Sequence, residues 1–285
     1  MNRLLPFFCL LLISVGCNET AKKDKHTGWA DYDLSSPEKY NMGSNLLEIS
    51  GIALNEQRAD TIYAIEDETG KLYHFAWKDQ ERKRHTKFGK GGDYEDVAIV
   101  RGNVYVLKSN GTLYTFPLKD AIYEEIDSAA EVKGLLPDGE YEGIYGDDRN
   151  GKLYVLCKNC TGKEQRETVR GYIFTTDNGI VPAGQFEIDV ESIKPFSGNV
   201  KKGFRPSGLA RRPSTNEWLI ISGVNKLLVV TDSAWKVKAA YPLNGNVFNQ
   251  PEGIAIDQQS NLYISNEGDD IIDGNILKFT YKPKQ

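Results

Sequence analysis

The sequence predicts an all-β fold, a β-propeller of five four-stranded blades, with six blades as the alternative. A short unit of polar residue, glycine and apolar run, first seen in Glu48-Ile49-Ser50-Gly51-Ile52-Ala53, recurs along the chain. The steps between successive units are 45, 47, 65 and 45 residues. The equivalent positions are Gly51, Asp96, Gly143, Gly208 and Gly253. Repeats of this length that each begin a strand are typical of propeller blades.

The strands within each repeat give a second observation. Asn103-Val104-Tyr105-Val106 has close counterparts at Lys152-Leu153-Tyr154-Val155 and Asn261-Leu262-Tyr263-Ile264. Alternating β-branched and aromatic residues of this kind favour strands. The 65-residue step predicts one blade with an insertion in the region 161–204, or a sixth, degenerate blade there.

The end of the chain predicts how the ring closes. The fifth repeat stops soon after its third strand, so its outer strand must come from elsewhere. We expect the N-terminal residues Lys39-Tyr40-Asn41-Met42 to supply it. Closure of this kind removes exposed strand edges.

Length and charge limit the class of protein. The chain has 285 residues, a net charge of −5 and 40% hydrophobic residues, which suits one sizeable domain. Because it carries no basic tract, we expect no nucleic-acid partner.

The N-terminus has the pattern of a bacterial lipoprotein signal. Arg3 precedes an apolar run, Leu4 to Val15, and small residues lead to Cys17. We therefore predict a signal peptide at 1–17 that ends at the lipidated Cys17, a flexible tether at 18–36 and a propeller domain at 37–285. This predicts a lipid-anchored protein of the cell envelope, at the outer membrane, whose partner is the membrane. The alternative is a plain secretory signal.

The two remaining cysteines of the folded part form a Cys157-Lys158-Asn159-Cys160 pair. A lone pair cannot complete a four-ligand zinc site, and no histidine has metal-binding spacing. A thioredoxin-like redox role lacks the βαβ context. In an oxidising compartment we predict a structural disulfide between Cys157 and Cys160.

The inner-strand starts should converge at one mouth of the central channel and form a ligand site. Several carboxylates there would repel one another and raise their pKa values, and a hard cation such as Ca²⁺ would relieve this. We predict Ca²⁺ as the cofactor, with Glu48, Glu95, Glu142 and Glu252 as its ligands. The full predicted set of ligand-binding residues is Glu48, Ser50, Glu95, Glu142, Arg205, Ser207, Glu252 and Asn266.

Two alternatives remain open for these positions. The carboxylates could be solvated turn residues, or could bond neighbouring backbone N–H groups and lock the blades together. Arg205 could pair with a carboxylate or hold an anionic ligand group. The acidic turn Asp147-Asp148-Arg149-Asn150-Gly151 falls on the opposite face, and we interpret it as a turn alone.

Familiar catalytic motifs are missing from the sequence. It has no G-x-S-x-G, H-E-x-x-H or P-loop pattern and three histidines in all. Any catalysis would have to use carboxylates, a bound metal and water.

The repeated E-x-S-G-[IL]-A start and the Pro251 to Glu267 run, after a lipoprotein signal, resemble the SdiA-regulated β-propeller family. The resemblance covers 37–281. It implies a propeller fold, phytase-like in architecture, an envelope location and a connection with calcium.

Three functions follow as hypotheses. The leading one is a lipid-anchored binding module that holds Ca²⁺ or a small polar ligand at the acidic mouth. The second is a metal-dependent hydrolase of phosphoesters or lactones that uses the same carboxylates. The third is a scaffold that binds a protein partner through the loops of that face.

Overall fold

The computed structural model describes residues 29–77, 79–160, 166–197, 200 and 203–283, and these form a five-bladed β-propeller. The first strand, β1 (Glu38–Asn41), belongs to the last blade. From the axis outward, blade one has β2 (Ile49–Leu54), β3 (Thr61–Glu66), β4 (Lys71–Ala76) and β5 (Asp79–Lys87). Blade two has β6 (Tyr94–Val100), β7 (Asn103–Lys108), β8 (Leu113–Pro117) and β9 (Ala130–Val132).

The remaining blades repeat this order. Blade three has β10 (Gly139–Asp147), β11 (Lys152–Cys160), β12 (Thr168–Thr175) and β13 (Val181–Asp189). Blade four has β14 (Gly208–Arg211), β15 (Trp218–Ser222), β16 (Leu227–Thr231) and β17 (Val237–Pro242). Blade five has β18 (Pro251–Ile256), β19 (Leu262–Asn266), β20 (Asn275–Phe279) and, outermost, β1.

The predicted ring closure is confirmed. Strand β1 pairs antiparallel with β20, with Glu38 opposite Lys278 and Asn41 opposite Asn275. The last blade therefore joins both ends of the propeller in one sheet, and β20 has no free edge.

The 65-residue step holds an enlarged third blade and a long connection. Strands β10, β11 and β13 have nine residues each, longer than most strands of the other blades. After β13 the chain forms a 3₁₀ turn at Glu191–Ile193 and a single helical turn, α1 (Lys194–Ser197). The described part of this region contains no additional sheet, so the five-blade prediction is the correct one.

The hydrophobic core lies between adjacent blades rather than on the axis. Between blades three and four, for example, Trp218 and Trp235 stack with ring centroids 4.4 Å apart, and Phe186 stacks on Trp235. Each blade buries both faces of its sheet in this way, because strand alternation sends side chains to either neighbour.

The packed part of the chain begins before residue 37. Trp29 and Tyr32, in the segment assigned to the tether, are buried. They cover the Arg212 guanidinium, whose side chain is 1% exposed and pairs with Asp31 at 2.6 Å. The predicted signal peptide, Cys17 and residues 18–28 of the tether lie outside the described residues.

The helical segments of the described residues are short. Among the helices of the described segments, none is long and apolar enough to cross a bilayer.

Candidate functional site

The repeated glycines lie where the inner strands crowd together around the axis. A Cβ atom on Gly51 would lie 2.1 Å from Asp96 Oδ1 of the next blade. One on Gly253 would lie 2.7 Å from the Ser50 carbonyl oxygen. Non-bonded atoms do not approach a Cβ atom this closely, so only glycine permits the two blades to pack at this distance. The repeated motif is therefore first a packing requirement.

A β-bulge accompanies the motif in four inner strands. In β6, Tyr94 pairs with Lys108 and Asp96 with Leu107, so Glu95 has no partner in the ladder. The pairing of β10 omits Glu142 in the same way, and β2 and β18 have irregularities at the same point. Bulges re-aim side chains out of the regular alternation. Here they direct the residue before each motif position toward the channel mouth.

Three bulged glutamates from different blades interact across the axis, and we call Glu95, Glu142 and Glu252 the axial trio. Lys158 lies among them, and its Nζ donates to Glu142 Oε1. Burial, followed by the charge of Glu142, raises the pKa of Glu95 to about 9 and that of Glu252 to about 8. Burial also raises the pKa of Glu142, against the opposing effect of Lys158. At neutral pH Glu95 and Glu252 therefore retain protons, whereas Glu142 pairs with the Lys158 ammonium.

The same environment favours the charged form of the Lys158 ammonium. Burial lowers its pKa, but the charges of Glu142, Glu252 and Glu95 together outweigh burial and leave that pKa above its ordinary value. Lys158 thus stays charged and acts as an internal cation for three blades.

A second acidic group, the lateral cluster, consists of Glu48, Glu66 and Asp67. One carboxylate oxygen from each lies within 4.8 Å of the others, and no other described Asp, Glu, His or Cys residues form such a group. Glu66 is oriented by two backbone N–H donors, Thr69 at 2.9 Å and Glu68 at 3.1 Å. Oxygens around Ca²⁺ lie 2.3–2.6 Å from the ion, which places neighbouring ligands within about 5 Å of one another. The lateral cluster satisfies that spacing.

Asp67 is the strained member of the lateral cluster. Its Oδ1 atom is buried and has no hydrogen-bond partner among the described residues. Burial, together with the charges of Glu48 and Glu68, raises its pKa to about 6. A carboxylate in this state lacks a partner for its charge.

Glu267 links the two acidic groups electrostatically. Its pKa is raised by burial and by the charges of Asp67, Glu48 and, more weakly, Glu142. Gln250 Nε2 donates to its Oε2 atom. The mouth therefore carries one continuous group of acidic side chains that reaches from the axial trio to the lateral cluster.

Two predicted ligand residues serve as links between blades. Ser207 Oγ donates to the Pro251 carbonyl oxygen at 2.9 Å, joining blades four and five. Ser265 Oγ donates to the Ser50 carbonyl oxygen at 2.6 Å, joining blades five and one. Both contacts join neighbouring blades through serine hydroxyls and carbonyl oxygens.

The other two predicted ligand residues differ in burial. Asn266 is fully buried and its Nδ2 donates to Asn275, while its Oδ1 has no partner among the described residues. Arg205 is exposed and forms no ion pair with a described carboxylate, but its backbone N–H donates to Asn225 Oδ1 at 2.8 Å.

Sequence reasoning gave Asp96 no role of its own. It is buried at a position where other repeats have glycine, and its carboxylate accepts the N–H groups of Val97 and, across the blade boundary, Ile144, each at 2.8 Å. The sequence did contain a signal for this role, because this motif position holds aspartate where the other repeats have glycine.

The opposite mouth opens into a cavity of about 490 Å³ lined by all five inner strands. Asp147, from the turn interpreted as structural, accepts from Arg211 Nη1 at 3.1 Å and from three groups of its own turn. Gln57, in the turn between β2 and β3, donates from Nε2 to the Arg211 carbonyl oxygen at 3.3 Å. This contact joins blade one to blade four at the opening. Asp147 thus orients Arg211 as well as closing its turn.

Comparison with solved structures gives similar folds. A luciferin-regenerating enzyme has a TM-score of 0.53 at 10% identity, with 87% of this chain and 98% of that chain covered. The glutaminyl cyclase of Myxococcus xanthus has a TM-score of 0.55 at 10% identity, with 86% and 96% covered. At such identity the likeness shows the fold alone.

Comparison of sequences gives one clear result. The model of the SdiA-regulated family matches residues 30–269, a range that contains the start of all five repeats. A search of curated proteins found no significant match.

Proposed function

The chain belongs to the SdiA-regulated family, and we propose that it is a lipid-anchored binding module of the cell envelope that holds Ca²⁺ at the lateral cluster. The observation that carries this proposal is the approach of Glu48, Glu66 and Asp67 oxygens to within 4.8 Å. Hard cations prefer such oxygen ligands, and waters can complete the six to eight that Ca²⁺ takes.

Electrostatics supports a cation over a neutral ligand. Burial and neighbouring acidic charges raise the pKa values of four carboxylates of the mouth, those of Asp67, Glu95, Glu252 and Glu267. A divalent cation would reverse this penalty, since a charge of opposite sign favours the ionised form. It would also give the buried Asp67 Oδ1 the partner it lacks.

The proposed lipid anchor has support from the sequence. Cys17 follows a short apolar run and small residues, as in lipoprotein signals. Eleven residues would then separate the lipidated cysteine from Trp29, which is buried in the propeller. A tether of this length would place the propeller next to the membrane surface.

Titration calorimetry with Ca²⁺ on the metal-stripped protein tests the binding proposal. We expect one site in the wild type and loss of binding by at least about 100-fold when Glu66→Gln is combined with Asp67→Asn, because two of three charged ligands are removed. Glu68→Gln is the matched control. It removes one charge from the same exposed turn outside the cluster, and we expect a loss below about threefold. A wild type without binding heat and without a Ca²⁺-dependent shift in Tm contradicts the proposal.

A second candidate, a Ca²⁺-dependent hydrolase of phosphoesters or lactones, is favoured by one observation. Glu95 and Glu252 have pKa values of about 9 and 8, near the range in which a carboxylic acid donates protons at neutral pH. A screen of both substrate classes, with and without Ca²⁺, should then show turnover that Glu252→Gln abolishes while Ca²⁺ binding persists. Failure to find Ca²⁺-dependent turnover would remove this candidate and leave the binding module.

A further inference from the structure

Two bulges face each other in blade three. In β10 the ladder omits Glu142, and in β11 it omits Lys158, because Glu140 pairs with Asn159 and Tyr141 with Cys157. The bulged Lys158 donates to the bulged Glu142. Both side chains therefore leave the sheet at the same point, toward the axial trio.

The disulfide closes the bulge that holds Lys158. Cys157 and Cys160 are three residues apart, and their Cα atoms are 5.9 Å apart. Three residues of regular strand would span about 10 Å. The cross-link therefore fixes the contracted backbone that carries Lys158 between the two cysteines.

Blade two shows the same site without this device. Its inner strand has the Glu95 bulge, but β7 pairs regularly through Lys108, the counterpart of Cys157. The Lys108 ammonium lies 5.1 Å from the centre of the Tyr94 ring. The lysine at the end of β7 therefore lies over an aromatic ring of its own blade.

From this arrangement we propose that Lys158 is a specificity-determining internal cation, held at the acidic mouth by the Cys157–Cys160 disulfide, and that reduction of the disulfide raises the affinity of the mouth for Ca²⁺. This inference rests on the proposed function. The Lys158 ammonium neutralises one charge of the mouth and repels an incoming cation. Once the backbone is no longer contracted, the Lys158 ammonium moves away from the carboxylates into water.

The chemical step is thiol–disulfide exchange with a dithiol reductant. Cys157 is buried and Cys160 is half-buried, so the incoming thiolate attacks Cys160 Sγ and displaces the Cys157 thiolate, which takes up a proton. The second thiol of the reductant then resolves the mixed disulfide. The products are two cysteine thiols and the oxidised reductant.

The test compares Ca²⁺ affinities of the purified, metal-stripped protein by titration calorimetry with and without dithiothreitol. We expect reduction to tighten binding roughly three- to tenfold, the effect of removing one positive charge near a divalent ion in a partly solvated site. Lys158→Gln should show the same gain without reductant and no further response to it. Lys108→Gln, which removes the lysine at the end of β7 in blade two, should behave as the wild type.

Each outcome is decisive. An oxidised wild type that binds Ca²⁺ with the same affinity after complete reduction, confirmed by thiol counting, overturns the inference and leaves the proposed function intact. Equal affinities of Lys158→Gln and the wild type overturn it as well. Absence of Ca²⁺ binding in every form overturns the proposed function itself. Cys157→Ser with Cys160→Ser reproduces the reduced state where reduction is incomplete, and its Tm reports whether it folds.

Discussion

The lateral cluster and the axial trio contain the same kind of side chain in different electrostatic states. The axial trio lies around the Lys158 ammonium, which pairs with Glu142, and the pKa values of Glu95 and Glu252 are about 9 and 8. The lateral cluster has closer oxygens, backbone donors to Glu66 and a buried Asp67 oxygen without a partner. We therefore propose that three converging carboxylates are not sufficient to define a cation site. The other groups that lie among them, such as the Lys158 ammonium, decide whether a cation binds.

The largest expected effect separates the two acidic groups by mutation. Glu95→Gln with Glu252→Gln replaces two acids that retain protons at neutral pH, and we expect Ca²⁺ affinity to stay within about tenfold of the wild type. For Glu66→Gln with Asp67→Asn, in contrast, we expect Ca²⁺ affinity to fall by at least about 100-fold. Calorimetry of both double variants measures the two affinities. Equal losses would mean that the two groups bind one ion together, as the sequence-based ligand set implies.

The Lys158–Glu142 pair gives the next effect. Lys158→Met leaves Glu142, whose side chain is 8% exposed, without its cation. Loss of one partner of a partly buried pair should lower the free energy of unfolding by about 2–4 kcal/mol without Ca²⁺. Chemical denaturation measures this. Adding Glu142→Gln to Lys158→Met should restore most of the loss, and a double variant as unstable as the single one would argue against the pair.

The pH dependence of stability distinguishes the axial acids from ordinary carboxylates. The folded-state pKa values of Glu95 and Glu252 lie at about 9 and 8, above the 4.5 expected in the unfolded chain. Below pH 4.5 both states hold the protons. Above it the unfolded state loses them first, so the contribution to stability falls as pH rises to 8–9.

The Glu95→Gln, Glu252→Gln variant isolates this contribution. We expect its Tm, relative to the metal-free wild type, to rise by a few degrees between pH 5 and 9, since about 1 kcal/mol shifts Tm by 2–4 °C in a domain of this size. Thermal melts across this range provide the measurement. A constant difference in Tm would show that these acids titrate normally.

The smallest effect concerns a predicted ligand that the structure uses between blades. Ser207→Ala removes the hydrogen bond to the Pro251 carbonyl and should lower the free energy of unfolding by about 1 kcal/mol. Ca²⁺ affinity should not change. A large change in affinity with unaltered stability would return Ser207 to the ligand set.

Much of the fold could be predicted from the sequence because each repeat encodes its strands locally. The motif glycines mark the crowded inner strands, and the missing last strand of the fifth repeat requires the N-terminal strand that β1 supplies. The enlarged third blade was less predictable, because a long step in a repeat fits both an insertion and another blade. Packing of Trp29 and Tyr32 was missed, since a short segment before the first repeat has no periodicity.

The candidate site shows where local information ends. The sequence by itself determined that acidic residues from several repeats reach one mouth, because strand starts of a closed ring must converge there. Only the tertiary structure decided their grouping: Glu48 lies with Glu66 and Asp67, while Lys158 lies with Glu95, Glu142 and Glu252. The physical reason is the β-bulge, which changes the direction of a side chain by one unpaired residue. A pattern of alternation in the sequence does not reveal where such an unpaired residue falls.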